Sequence, residues 1–389
     1  MAATSVVVTL NENLTLNTLI SLPAPRTPGA TVTIRSANPA RPVTISRGVV
    51  GNLFTVPNRA TLILENIIID GGGRGNFINN DDDDDDDEEG EADESGNVIV
   101  AAPPAPVQPD DESEDALETG TGTAVAVAGT LVRVNAGGTL LMRNGAVLRN
   151  NVNSGTGGGV EVGGRNGSFT MTGGEISGNT AGGLAGGVYV NRYGTFNMQG
   201  GTISGNSANN SGGVYVRRST FTMTGGEISG NTSRGDAGGV RVHFGTITMR
   251  GGQISGNAAN TNGGGVLVSG SGSTFTMSGG QIFGNTAGRN GSGLRRANGT
   301  VNLSGGVVAG TGRNIAAVVS GTHHLNRAAP NNAVIIAWNR PTGNIPNYTA
   351  GSNTDLTLSA GATATWQNQN GVLGISYTHG ANRGWIRQW

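Results

Sequence analysis

FTMTGGEISGNT, residues 169–180, returns as FNMQGGTISGNS at 196–207, FTMTGGEISGNT at 221–232, ITMRGGQISGNA at 247–258 and FTMSGGQIFGNT at 275–286. A period of this length marks a solenoid, in which each repeat buries its apolar face only by stacking on its neighbours. Methionine sets the register. Apart from Met1, the six Met stand at 142, 171, 198, 223, 249 and 277, separated by 29, 27, 25, 26 and 28 residues. Within a unit, T-F-T-M-T and G-V-Y-V alternate polar with apolar, which places Phe169, Met171, Val188 and Val190 on one side of a strand and Thr170 and Tyr189 on the other. Double glycines such as Gly173–Gly174 and Gly186–Gly187 stand where such strands end and the chain turns. No stretch of the repeats carries a 3.6-residue period, so crossover helices are not expected.

These features predict an all-β chain: a right-handed, single-stranded parallel β-helix with 25–29 residues per coil, an acidic loop insertion and a C-terminal β-rich cap. Coils ~4.8 Å apart then stack like on like. The expected inward files are Phe169, Phe196, Phe221, Ile247 and Phe275; Met171, Met198, Met223, Met249 and Met277; and Ile176, Ile203, Ile228, Ile254 and Ile282. Asn179, Asn206, Asn231, Asn257 and Asn285 form a file of turn residues whose amides bond coil to coil or cap the corner.

Composition narrows the chemistry. The 389 residues include 69 Gly and no Cys, which excludes thiolate nucleophiles, disulfides and cysteine-based metal sites. All 24 basic residues are Arg, so a phosphate-loop lysine, Schiff-base chemistry and a lysine base are excluded too. Of 26 acids, 18 lie between Asp81 and Glu118, leaving 24 Arg against 8 acids elsewhere. No apolar run reaches the ~18–20 residues of a membrane helix, and MAATSVVVTLNENLTLN lacks the pattern of an export signal.

The reading divides the chain into N-terminal coils (1–79), an acidic, Pro-containing insertion (80–118), regular repeats (119–310) and C-terminal coils with a Trp-rich cap (311–389). In the insertion, Asp81, Asp82, Asp83, Asp84, Asp85, Asp86, Asp87, Glu88 and Glu89 open a block of like charge, expected to be solvated and to act as an interaction arm toward Arg-rich surfaces. No defined metal site and no cofactor are expected: an EF-hand needs Gly where Asp86 stands, which leaves only weak Ca²⁺ association with the acidic block.

The repeats resemble those of bacterial surface β-helix proteins, the polymorphic outer-membrane proteins and autotransporter passengers, with their GGA(I/L/V) and FxxN motifs. Here GGV stands at 186–188, 212–214, 238–240 and 264–266, and IxxN at 176–179, 203–206, 228–231, 254–257 and 282–285. The resemblance implies a non-enzymatic rod, extracellular or displayed on the cell surface, used for structure or adhesion.

As binding candidates, the outward file after GGV supplies Tyr189, Tyr215 and Arg241, which are able to stack a sugar ring, an aromatic group or a partner's backbone, with Arg192, Arg217 and Arg218 nearby to favour an anionic partner. The commoner role of such a file is cross-coil packing that stabilises the sheet. Expected partners are other copies of the chain or a surface or host glycan or protein. No RNA-binding motif or recognition helix points to nucleic acid. A rival reading is a filament subunit joined by end-to-end stacking or by the acidic arm on a neighbour's Arg. The third is a polysaccharide-active enzyme using Glu175 and Glu227, which share a repeat position two coils apart, ~9.6 Å by strand spacing.

Overall fold

The computed structural model describes residues 5–25, 29–73 and 129–311, together with five short strand segments between 317 and 378. The chain divides into Met1–Phe77 with Val127–Trp389, and a second unit, Ile78–Ala126, which lies outside the described residues. The acidic arm and most of the Trp-rich segment therefore fall outside them as well.

The described body is a parallel β-helix, all strands and no helix. A central coil has four sides. Ser168–Met171 forms the first, Glu175–Ser177 the second, Thr180–Leu184 the third and Val188–Asn191 the fourth, after which Thr195–Met198 begins the next coil. Each side pairs in parallel, and in register, with its counterpart one coil away: Phe169 opposite Phe196, Ile176 opposite Ile203, Val188 opposite Val214. The fourth side builds a ten-stranded sheet and the third a six-stranded one. The first and second merge into one sheet because Thr274–Phe283 and Thr300–Thr311 run through the corner between them.

The interior consists of the files that alternation predicts. The phenylalanine, methionine and isoleucine files are almost wholly buried from Phe169 to Ile282. Phe169 stacks on Phe196 at 4.6 Å and Phe196 on Phe221 at 4.8 Å, both with rings 7° from parallel, so one coil step serves as the stacking distance. The double-glycine corner follows from this packing. Gly226 has φ +83°, and a Cβ there would stand 2.7 Å from the Cε of Met198, one coil away. A glycine therefore permits both the turn and the close approach of the methionine beneath it.

The asparagine file joins the corner between second and third sides. From Asn206 onward each Oδ1 accepts from the backbone N–H and from the Nδ2 of the preceding Asn: Asn206 Oδ1 takes both from Asn179 at 3.0 Å, and Asn231 Oδ1 takes them from Asn206 at 3.0 and 2.9 Å. Each Nδ2 also donates back to a carbonyl, as Asn231 does to Ile203 at 2.9 Å. The file is fully buried and begins at Asn151, one coil before Asn179. Coil-to-coil bonding and corner capping are thus one device.

The N-terminal coils use the same frame with other side chains. Ser5–Leu10 pairs with Ala30–Ser36, which pairs with Ala60–Glu65. That strand then pairs directly with Thr139–Met142, Leu62 opposite Leu140 and Leu64 opposite Met142. The stack therefore continues in register from the coils described up to Gly73 to those described again from Gly129. Two ion pairs cross this seam: Arg143 to Glu65 at 3.0 Å and Arg149 to Asp70 at 2.8 Å. Their arginines are nearly half exposed, so each pair contributes no more than ~1 kcal/mol. Deeper in, Arg47 is buried and donates to the carbonyls of Val49, Gly51, Gly129 and Thr130. Beyond the regular repeats, Ala317–Val319 extends the fourth side, and Val334–Asn339 pairs with Thr300–Thr311.

Candidate functional site

The outward file of the fourth side runs Arg133, Glu161, Tyr189, Tyr215, Arg241, Leu267 and Arg295, one residue per coil. Of the two roles open to its tyrosines, the structure gives them packing and leaves no stacking surface for a ligand. Tyr189 is 4% exposed and Tyr215 fully buried, packed 5.6 Å apart in a small apolar cluster with Ala185 and the partly buried Leu184. The strand does point them out of the barrel, but the chain passing from third to fourth side folds over them. Arg241 lies over the Tyr215 ring at 5.1 Å and shares the cluster's edge. Burial pushes the Tyr189 hydroxyl up to about 12; Tyr215 adds to the rise, and a hydrogen bond with Arg217 opposes it. Cross-coil packing is what these residues do.

One position further along, the corner from fourth to first side carries exposed groups instead. Asn191, Arg217 and His243 are register partners, which places Arg192, Arg218 and Phe244 at equivalent corner positions, with Tyr193 next to Arg192. Tyr193 N–H donates to the Arg218 carbonyl at 2.8 Å, tying these corners together. Tyr193 is 63% exposed and Phe244 43%. Arg165, Arg192 and Arg218 are exposed too. Arg165 sits 5.4 Å from the Tyr193 ring centre and Arg218 5.8 Å from that of Phe244. The result is a ridge along the stack in which cations and aromatic rings alternate.

The ridge also carries backbone strain. Arg192, Tyr193, Arg218 and Phe244 have φ of 55°, 69°, 48° and 51°, the left-handed region that is costly for a residue with a Cβ. In the flanking coils the same corner position is Gly164 (φ 90°) and Gly270 (φ 86°). The fold accepts glycine there, yet in these coils large charged or aromatic residues hold the strained conformation, at roughly 1–2 kcal/mol each. Strain of this kind, kept where glycine would remove it, points to a role for the side chains. Arg192 and Arg218 were legible as candidates in the sequence. Tyr193 and Phe244 were not, although an aromatic at a corner where neighbouring repeats have Gly is a readable signal.

A second feature is an open groove of about 840 Å³ along the double-glycine corner, floored by Gly201, Gly226, Gly252 and Gly280 and walled by Thr202, Glu227, Gln253 and Gln281. Glu175, Thr202 and Glu227 are in register, two coils separating the glutamates as expected. Glu227 lines the groove and Glu175 does not, so the two carboxylates do not converge on one cavity. The other acids of the central body serve coil-to-coil contacts. Glu161 pairs with Arg133 at 3.3 Å, while Asp236 accepts from Asn262 N–H at 3.1 Å and Nδ2 at 2.8 Å. Burial raises the pKa of Glu161, with Arg133 and then Arg192 opposing the rise. Among the described residues there is no cluster of three or more His, Asp or Glu side chains able to hold a metal ion. Nor is there, among them, a helix long and apolar enough to cross a membrane.

Comparison of the chain with protein-family models, with curated proteins and with solved structures finds no match.

Proposed function

We propose that this chain is a non-enzymatic, extracellular structural and adhesive rod of a bacterial cell surface, which holds its partner through the corner ridge. The observation that supports this reading is the exposure of Tyr193 and Phe244 beside Arg192 and Arg218, on corners whose backbone favours glycine. The Asn, Phe and Met files supply what such a ridge needs, a stiff base with a constant step. A glycan or protein of a host or of the surface itself is the partner. The test is retention of the purified full chain on intact cells and extracellular-matrix preparations. Saturable retention is expected; its absence on every surface would overturn the adhesive reading. Cleavage of a polysaccharide by the wild type, lost in Glu227→Gln, would replace it with an enzyme.

A second reading, assembly end to end, is favoured by the first coil. Val6, Val7, Val8 and Leu19 are 47%, 54%, 39% and 49% exposed, and Ser5–Leu10 pairs on one side only among the described residues. An apolar edge strand is a template for another β-coil. Electron microscopy at rising concentration separates the readings: long fibres, abolished by Val7→Lys, would make assembly the function, and single rods would rule it out.

A further inference from the structure

The exposed ridge also restricts the chemistry of its partner, and the inference rests on the adhesive reading above. We infer that the ridge binds an acidic polysaccharide of the polyuronate class, lying along the stack from Arg165 to Phe244. Four consecutive coils contribute, in the order Arg165, Tyr193 with Arg192, Arg218, Phe244, at ~4.8 Å per coil. That step is close to the length of one sugar unit in an extended chain. The rings of Tyr193 and Phe244 are two coils apart, and an extended chain with alternating ring orientation presents the same sugar face at every second unit. Aromatic side chains stack on the apolar face of a sugar, and a guanidinium pairs with a ring carboxylate through two parallel hydrogen bonds. Arg218, between the two aromatics, meets the unit that neither ring covers.

Charge is available for this. The described residues contain 17 Arg against 7 acids. The acid that Arg192 approaches, Glu161, is already held by Arg133. The alternation of cation and ring along a single line separates this ligand from other polyanions. A single-stranded nucleic acid carries its charge on the backbone and its rings to one side, and so calls for a cationic groove beside an aromatic platform. An extended acidic peptide advances ~3.3 Å per residue, out of step with the coils. In a polyuronate, charge and stacking surface belong to the same ring.

The corner glycines supply a clean test. Arg218→Gly and Phe244→Gly place glycine where φ is 48° and 51°, so each variant should fold with a melting temperature equal to or above that of the wild type. Affinity electrophoresis of the full chain would use polygalacturonate, a neutral cellulose derivative and oligothymidylate, each at low and high salt. Polygalacturonate is expected to retard the wild type, with affinity falling at least about tenfold at high salt and about tenfold in either variant. Equal retardation of wild type and variants would overturn the assignment to the ridge. Equal binding of the neutral glucan would overturn the acidic class, and tighter binding of oligothymidylate would make the ligand a nucleic acid. If no probe binds while cells still retain the chain, the polyuronate inference fails and the adhesive rod stands. If cells do not retain it either, both fail.

Discussion

The coils before Gly73 and those after Thr139 share one cross-section but fill it differently. In the central coils the same Phe, Met, Ile and Asn recur, while in the N-terminal coils the inward positions of the first side are Val32, Ile34, Leu62 and Leu64. Leu62 and Leu64 nevertheless sit directly on Leu140 and Met142. Apolar alternation is enough to keep strands in register, because a slip of one residue would turn every core side chain to solvent. Identity is demanded only where a side chain must bond its own kind. The asparagine file is such a place, each amide being donor to one neighbour and acceptor from the other. Before the file begins, Arg47 serves the turn with a different solution, one long cation shared among four carbonyls.

The strongest way to break this comparison is at the file. Asn231→Leu would strip partners from Asn206 N–H, Asn206 Nδ2 and the Ile203 carbonyl, all buried. With each buried unsatisfied group costing ~1–3 kcal/mol, destabilisation of about 4 kcal/mol is expected in urea unfolding. A loss below about 1 kcal/mol would mean that the amides are interchangeable with apolar packing. Arg47→Met should be milder, about 2 kcal/mol, because orphaning the carbonyls is offset by removing a buried cation without a carboxylate. Burial already lowers the pKa of that guanidinium to about 10, a sign of how poorly the site tolerates its charge. A loss as large as that of Asn231→Leu would make the two corner devices equivalent.

The smallest effect concerns Glu161, a mostly buried carboxylate paired with an arginine as the seam acids Glu65 and Asp70 are. Its raised pKa means that the folded chain holds this proton more tightly than the unfolded chain does. The associated stability is fully present below the ordinary carboxylate range and is lost as pH rises through the folded pKa. Glu161→Gln removes that loss. Its melting temperature should match the wild type near pH 3 and exceed it by about a few degrees at most near pH 7, the opposing Arg133 pair being already contained in the net rise. A lower value near pH 7 would show that the arginines outweigh burial.

The repeat was enough to read the parallel β-helix, its coil length, the direction of its core files and the positions of its glycine corners. These depend on period-two alternation and on positive φ, both local properties that repetition makes unmistakable. The third side was not read, because its short strands, Val152–Asn153 through Thr286–Ala287, turn inward mostly small residues such as Ala181, Ala208 and Ser233, which carry little periodic signal. Arg47 was missed because its coil repeats no neighbour. A buried arginine looks like any surface arginine until the carbonyls around it are placed.

The outer face marks the limit of what the sequence by itself determined. Alternation told that Tyr189 and Tyr215 leave the barrel, and it drew Arg218 in as a neighbour of that file, but it gave no place to Tyr193 or Phe244. Only the tertiary structure decided that Leu184 and Ala185 close over the tyrosines while Tyr193 and Phe244 stay in water. The reason is physical: which way a strand residue points is fixed by its own backbone, but what covers it is fixed by a loop several residues away, whose path depends on the coils stacked above and below.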